Sequence, residues 1–144
     1  MSQFQTHDLA AIIVVVGTIP ITGWSTDGGC EVAFNTDMGE GSVGAGGAAT
    51  FSKSADRSAT ATLTLKGDSP DCALLNALVE EQLLPGALPR LPFLMRNTLT
   101  GESVEAETCA FQTRPSPTAN KTVADAVYVL WLPAAKHTIT PRTP

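Results

Sequence analysis

Residues 58–66 read SATATLTLK, and this stretch decides the fold. Ser58, Thr60, Thr62 and Thr64 alternate with Ala59, Ala61, Leu63 and Leu65. Successive side chains of a strand point to opposite faces, so hydroxyls collect on one face and apolar groups on the other. Threonine is a good strand former with a hydroxyl to spare. The pattern predicts a half-buried β-strand.

Upstream, residues 31–38 alternate in the same way. Val32, Phe34, Thr36 and Met38 fall on one face, and Glu31, Ala33, Asn35 and Asp37 on the other. Between the two stretches, residues 39–49 (GEGSVGAGGAA) hold five glycines: Gly39, Gly41, Gly44, Gly46 and Gly47. Glycine loses the most freedom on ordering, so this segment is expected to be a flexible loop. Residues 12–16 (IIVVV) form a β-branched run suited to a covered strand, and residues 19–24 continue as a second short strand. Asp27-Gly28-Gly29 marks a turn.

Downstream, Ser69-Pro70-Asp71 opens the one convincing helix, expected over about 70–83. Ser69 suits the N-cap, Pro70 the first helical position, and Asp71 the positive end of the helix dipole. Leu74, Leu75, Leu78 and Gln82 follow helical spacing, and Pro85-Gly86 ends the helix. Residues 91–98 read as a strand, Thr100-Gly101 as a hairpin turn, and residues 103–111 as the returning strand. That alternation puts Glu105, Glu107 and Cys109 on one face and Val104, Ala106, Thr108 and Ala110 on the other. Residues 115–121 read as a loop, 123–132 as a largely buried strand, and 134–144 as a C-terminal tail. The sum is an α+β domain of mostly antiparallel β-structure with one flanking helix, spanning residues 1–133.

Composition agrees with one domain. The chain has 144 residues, 43% of them apolar, enough for a core without staples. Charged residues are only 16%, against the usual ~25%. With so much Thr, Ser, Ala and Gly, that suits surfaces that meet protein. The net charge is −5 and the nine Lys and Arg are scattered singly, which is no footprint for nucleic acid. Cys30, Cys72 and Cys109 form no CxxC pair and read as reduced thiols of a protein made in the cytoplasm. The apolar run at residues 9–16 is shorter than the ~20 residues of a membrane span, and MSQFQTHD ahead of it lacks the basic residues of a secretion signal.

The chemical motifs are weak. Gly39, Gly41 and Gly44 match GxGxxG, but a dinucleotide site needs a helix to begin there, and a strand follows instead. His7 and His137 lie near the ends, with no metal-binding spacing and no GxSxG nucleophile elbow to serve. Glu105 and Glu107 share one side of a strand. Such a pair can do acid–base chemistry, hold a metal or form an acidic surface, and the last is commonest. No catalytic, cofactor-binding or metal-binding residue is assigned, and no enzyme is expected.

The order of the pieces resembles a known family. EVAFNTD (31–37) precedes a Gly-Ala-Gly-Gly loop (44–47), then ADRSATATLTL (55–65) and SPDCALLNAL (69–78). This is similar to structural proteins of contractile-tailed phages taken to be tail-tube proteins. The matching stretch, 31–78, is about a third of the chain, and the Pro- and Thr-containing tail from Pro133 departs from the family pattern. The resemblance implies a tail-tube-like β-sandwich or rolled sheet. It implies six subunits closing into a ring and rings stacking into a tube of the virion tail, assembled in the host cytoplasm. The implied partners are further copies of the chain, the sheath, the tape-measure protein, baseplate and terminator proteins, and duplex DNA in transit without specific binding. A tail terminator, a baseplate tube-like protein and a soluble β-rich ligand-binding module are the alternatives. Within the tube reading, Glu31, Asn35, Asp37, Ser58, Thr60, Thr62 and Thr64 are candidate lumen lining. Gly39, Gly41, Gly44, Gly46 and Gly47 form the candidate inter-ring loop.

Overall fold

The computed structural model describes residues 12–25, 28–86, 91–117, 119 and 122–139. The expectations for His7, Asp27 and residues 9–11 and 140–144 lie outside them. Ten strands and one helix follow in order: β1 (Ile12–Val16), β2 (Ile19–Ile21), β3 (Cys30–Phe34), β4 (Gly39–Val43), β5 (Ala49–Lys53), β6 (Ala59–Leu65), α1 (Pro70–Gln82), β7 (Leu91–Asn97), β8 (Glu102–Thr113), β9 (Ala126–Leu132) and β10 (Ala135–Ile139). Eight strands form one sheet in the order β2-β1-β7-β8-β9-β6-β3, with β10 also on β8, and the named strands pair antiparallel.

β8 is the seam of this rolled sheet. At 12 residues it is the longest strand, and two β-bulges bend it. One is an extra residue between Ala106 and Cys109, and the other lies between Phe111 and Thr113. Bulges sharpen twist, which lets one strand leave the β1–β7 layer and enter the β9–β6 layer. The first bulge also corrects the expected faces. It turns Cys109 inward beside Val104 and Ala106, away from Glu105 and Glu107, which stay exposed.

The core lies between the layers. Val14, Val16, Phe93, Val104 and Cys109 come from one side, and Leu63, Leu65, Tyr128, Leu130 and Leu132 from the other. β6 bears out its alternation: Ala59, Ala61, Leu63 and Leu65 are fully buried while Thr60, Thr62 and Thr64 are partly exposed. Each buried Leu contributes about 1.5–3 kcal/mol. The three cysteines are free, and burial pushes the Cys30 and Cys109 thiols up to about 12.

α1 is held to the sheet at both ends. The Ser69 hydroxyl accepts from the Asp71 N–H at the N-cap. Asp71 is itself buried, and its Oδ2 accepts the backbone N–H of Thr22 and of Gly23, each at 2.8 Å. Gly23 must be glycine here, since a Cβ would collide with the Ser69 hydroxyl. At the other end, Gln82 behaves like a short strand. Its Nε2 donates to the Phe111 carbonyl at 3.0 Å, and the Phe111 N–H donates to its Oε1 at 2.8 Å. Leu75 and Val79 bury the face between.

Two segments that read as unstructured in the sequence contain strands. The presumed tail from Pro133 is a strand over its first part: β10 pairs with β8 from Ala135↔Ala106 to Ile139↔Glu102. Ala110 faces Trp131 and Ala106 faces Ala135, four residues on along each strand, so β9 and β10 follow β8 in one unbroken register. Only Ala135 of β10 is buried, so no apolar period announced the strand. The presumed glycine-rich loop is a hydrogen-bonded hairpin, β4 paired with β5 from Gly39↔Lys53 to Val43↔Ala49. The backbone ladder overrides the entropy cost of the glycines.

Candidate functional site

Three surfaces stand out. The first is the outer face of β3, β6 and β9. Glu31 faces Thr62, Ala33 faces Thr60, and across β6 the threonines Thr60, Thr62 and Thr64 face Trp131, Val129 and Val127. Asn35 joins this face: the Thr60 hydroxyl donates to its Oδ1 at 2.8 Å, and its Nδ2 donates to the Ser58 Oγ at 3.1 Å. Two expected members sit elsewhere. Ser58 precedes β6 and is buried, its hydroxyl turned to Asn35. Asp37 lies in the bend after β3, because the strand ends at Phe34 rather than running to Met38. The face therefore carries hydroxyls, one carboxylate and an apolar stripe. The sequence reading of residues 123–132 as largely buried missed the stripe, for Trp131 is 43% exposed. The alternation of VYVLW was the available signal, because Tyr128 and Leu130 fill the inner positions.

The second surface is the arm. Hydrogen bonds continue the β3–β6 ladder past its end, from Asn35 N–H to the Ser58 carbonyl and from Ser54 N–H to the Met38 carbonyl, into β4–β5. β3–β4 and β5–β6 thus form one bent ribbon whose tip, Gly44 to Gly47, closes by turns. At about 3.3 Å per residue, β4 extends the ribbon by roughly 17 Å. All five candidate glycines lie in this arm, none of them ahead of a helix, so the GxGxxG match has no phosphate cradle.

The third surface is the pair of sheet ends. Among the described residues, β2 and β3 close the strand order, and an end strand presents unpaired backbone groups. Pro20 in β2 supplies no N–H, while β3 carries no such block.

His137 is not at a frayed end. It lies in β10, with its Nε2 2.7 Å from Glu102 Oε1 and its ring 6.3 Å from that of Phe34. Glu105 lies across from Lys136 on β10. Among the described residues, no three His, Cys, Asp or Glu gather as a metal ion would require, and no helix is long and apolar enough to cross a membrane.

Solved chains from contractile injection systems share this fold. The tube terminating cap of an anti-feeding prophage is similar, at 12% identity and a TM-score of 0.60, over 97% of this chain and 95% of that one. A chain from the sheath–tube complex of an extracellular contractile injection system is similar at 12% identity and 0.58, over 90% and 88%. A chain from the sheath/tube terminator of such a system is similar at 13% and 0.61, over 95% and 99%. Residues 1–133 match the bacteriophage PhiTE tail tube protein family, and the chain belongs to that family. No curated protein matches the sequence.

Proposed function

We propose that the chain is the structural subunit of a phage tail tube, closing into rings, hexameric by the family resemblance, that stack around a channel for DNA. The observation that carries this reading is the arm. It projects from the ribbon with an apolar surface that its own chain leaves uncovered, as expected of a part finished by a neighbouring copy. The open β3 edge supports ring closure, which removes exposed edges. The sheath, tape-measure, terminator and baseplate proteins are the partners this role requires. The residues name no substrate, and the role is structural.

The β3–β6–β9 face is proposed as the lumen lining, with Glu31, Asn35, Thr60, Thr62 and Thr64 central to it; Asp37 and Ser58 flank it. No Lys or Arg lies on this face of the three strands, so nothing there would hold phosphates by releasing their counterions. The arm glycines Gly39, Gly41, Gly44, Gly46 and Gly47 belong to the inter-ring contact. Assembled wild-type protein should show no salt-sensitive binding of duplex DNA, and Glu31→Lys with Thr62→Lys should create it. Wild-type tubes that bind DNA strongly at low salt would contradict the assignment.

A terminator role is the second reading, favoured by fold likeness to a cap and a terminator. Electron microscopy of the purified protein separates the two, since a tube protein gives long tubes and a terminator gives single rings.

A further inference from the structure

The arm has two unlike faces. Gly39, Gly41 and Val43 lie opposite Lys53, Phe51 and Ala49, and these six share one face; Glu40, Ser42, Thr50 and Ser52 share the other. A Cβ on Gly39 would collide with the Ser52 carbonyl and reach within 2.7 Å of the Phe51 ring, so the ring lies over bare backbone. That ring is still 61% exposed, Val43 is 73% exposed and the preceding Met38 is 86% exposed.

Elsewhere on the chain, the last turn of α1 and the end of β8 enclose an open groove of about 190 Å³, lined by Val79, Gln82, Leu83, Phe111, Gln112, Thr113 and Arg114. Two of its polar side chains are already engaged, while Gln112 and Thr113 lie exposed at its edge. Gln82 is spent on the Phe111 backbone, and Arg114 donates to Glu80 at 2.9 Å. What remains is a preformed apolar floor of Val79, Leu83 and Phe111. A closed cavity of ~150 Å³ lined by such residues holds a benzene, and this groove, open to solvent on one side, offers a phenyl ring comparable room.

We infer that Phe51 of one copy seats in the α1–β8 groove of another copy, with Lys53 beside it meeting Glu81, the exposed carboxylate next to groove-lining Gln82 on α1. This rests on the tube reading. Three observations select a second copy as the occupant. Arm and groove are unlike surfaces carried by every copy, which gives a head-to-tail contact that propagates as an open stack. Lys53 shares Phe51's face and so arrives with it, while Arg114 occupies Glu80 and leaves Glu81 as the available carboxylate. The Arg114 guanidinium stands at the rim, where it can cover an aromatic face.

The test mixes two single variants, Phe51→Cys and Leu83→Cys, both at exposed positions. They are assembled together and oxidised, with the wild type and its native thiols as background. Cross-linked dimers in the mixture, and in neither variant alone, are expected. Cross-linking of Phe51→Cys with itself would mean that arms meet arms and would overturn the inference. Tubes that form normally in the mixture without cross-links would also overturn it, leaving the tube reading intact. Absence of any assembly by the wild type would sink the tube reading, and the inference with it. A charge exchange gives a second readout. Lys53→Glu should raise the protein concentration needed for tubes about two- to fivefold, and Lys53→Glu with Glu81→Lys should restore it. Equal defects in the single and double variants would count against the Lys53–Glu81 contact.

Discussion

The two halves of one β-ribbon behave in opposite ways. At its base, β6 is an interior strand between β3 and β9, and every second side chain is buried. At its tip, β4 and β5 pair only with each other among the described residues, and every residue of β5 is exposed. Both halves have the same backbone ladder. The base adds apolar burial, while the tip adds no burial within its own chain. Burial drives folding, so the base belongs to the stability of the subunit. The tip then belongs to what the subunit joins.

The largest effect that would break this contrast lies in the base. Leu63→Ala opens a cavity at a fully buried site and should destabilise the subunit by about 2–5 kcal/mol, read by denaturant unfolding. A smaller loss than about 1 kcal/mol would mean that the base is less tightly packed than drawn. Gln82→Ala comes next. It strips both hydrogen bonds from the Phe111 backbone and should cost about 1–3 kcal/mol.

Phe51→Ala sharpens the contrast from the other side. It should change subunit stability by no more than about 0.5 kcal/mol, as for other surface positions, yet raise the protein concentration at which tubes form. Unfolding of the subunit by this change would erase the distinction between base and tip.

The smallest expected effect sits at the junction. Asp56 Oδ1 accepts the Ser58 N–H at 2.9 Å, and that bond holds the Asp56 carboxyl below its usual range. A lowered folded-state value means the contribution is present above the unfolded value, near 3.9, and fades as pH falls through the folded one. Wild type and Asp56→Asn should therefore differ most near neutral pH and converge in acid, measured as unfolding midpoints against pH. A difference that grows in acid would contradict the hydrogen bond.

The legible parts of the sequence were those where one face is buried. β6 announced itself through Ala-Thr-Leu alternation, and α1 through Ser69-Pro70-Asp71, because local chemistry and burial agree there. β10 was illegible because Ala135 alone faces inward, and register against β8, not pattern, holds the strand. The arm was illegible because glycine content argues for a loop unless a facing strand is known, and Phe51 over Gly39 is a cross-strand fact. Cys109 was assigned to the wrong face because a bulge inserts one residue and reverses the alternation beyond it. The clamps of Asp71 on Thr22 and Gly23, and of Gln82 on Phe111, join residues far apart in sequence, which no local period encodes. For the candidate lining, sequence put Glu31 and Asn35 on one face of their strand and the three threonines on one face of theirs, and the β3–β6 register joins the two. Sequence could not foresee that the strand stops at Phe34 and leaves Asp37 behind.

Negative-stain electron microscopy of the purified full chain at high concentration shows whether the subunits build a tube. Stacked rings with a continuous central channel are expected for the wild type. A protein that stays monomeric up to millimolar concentration would contradict the tube reading.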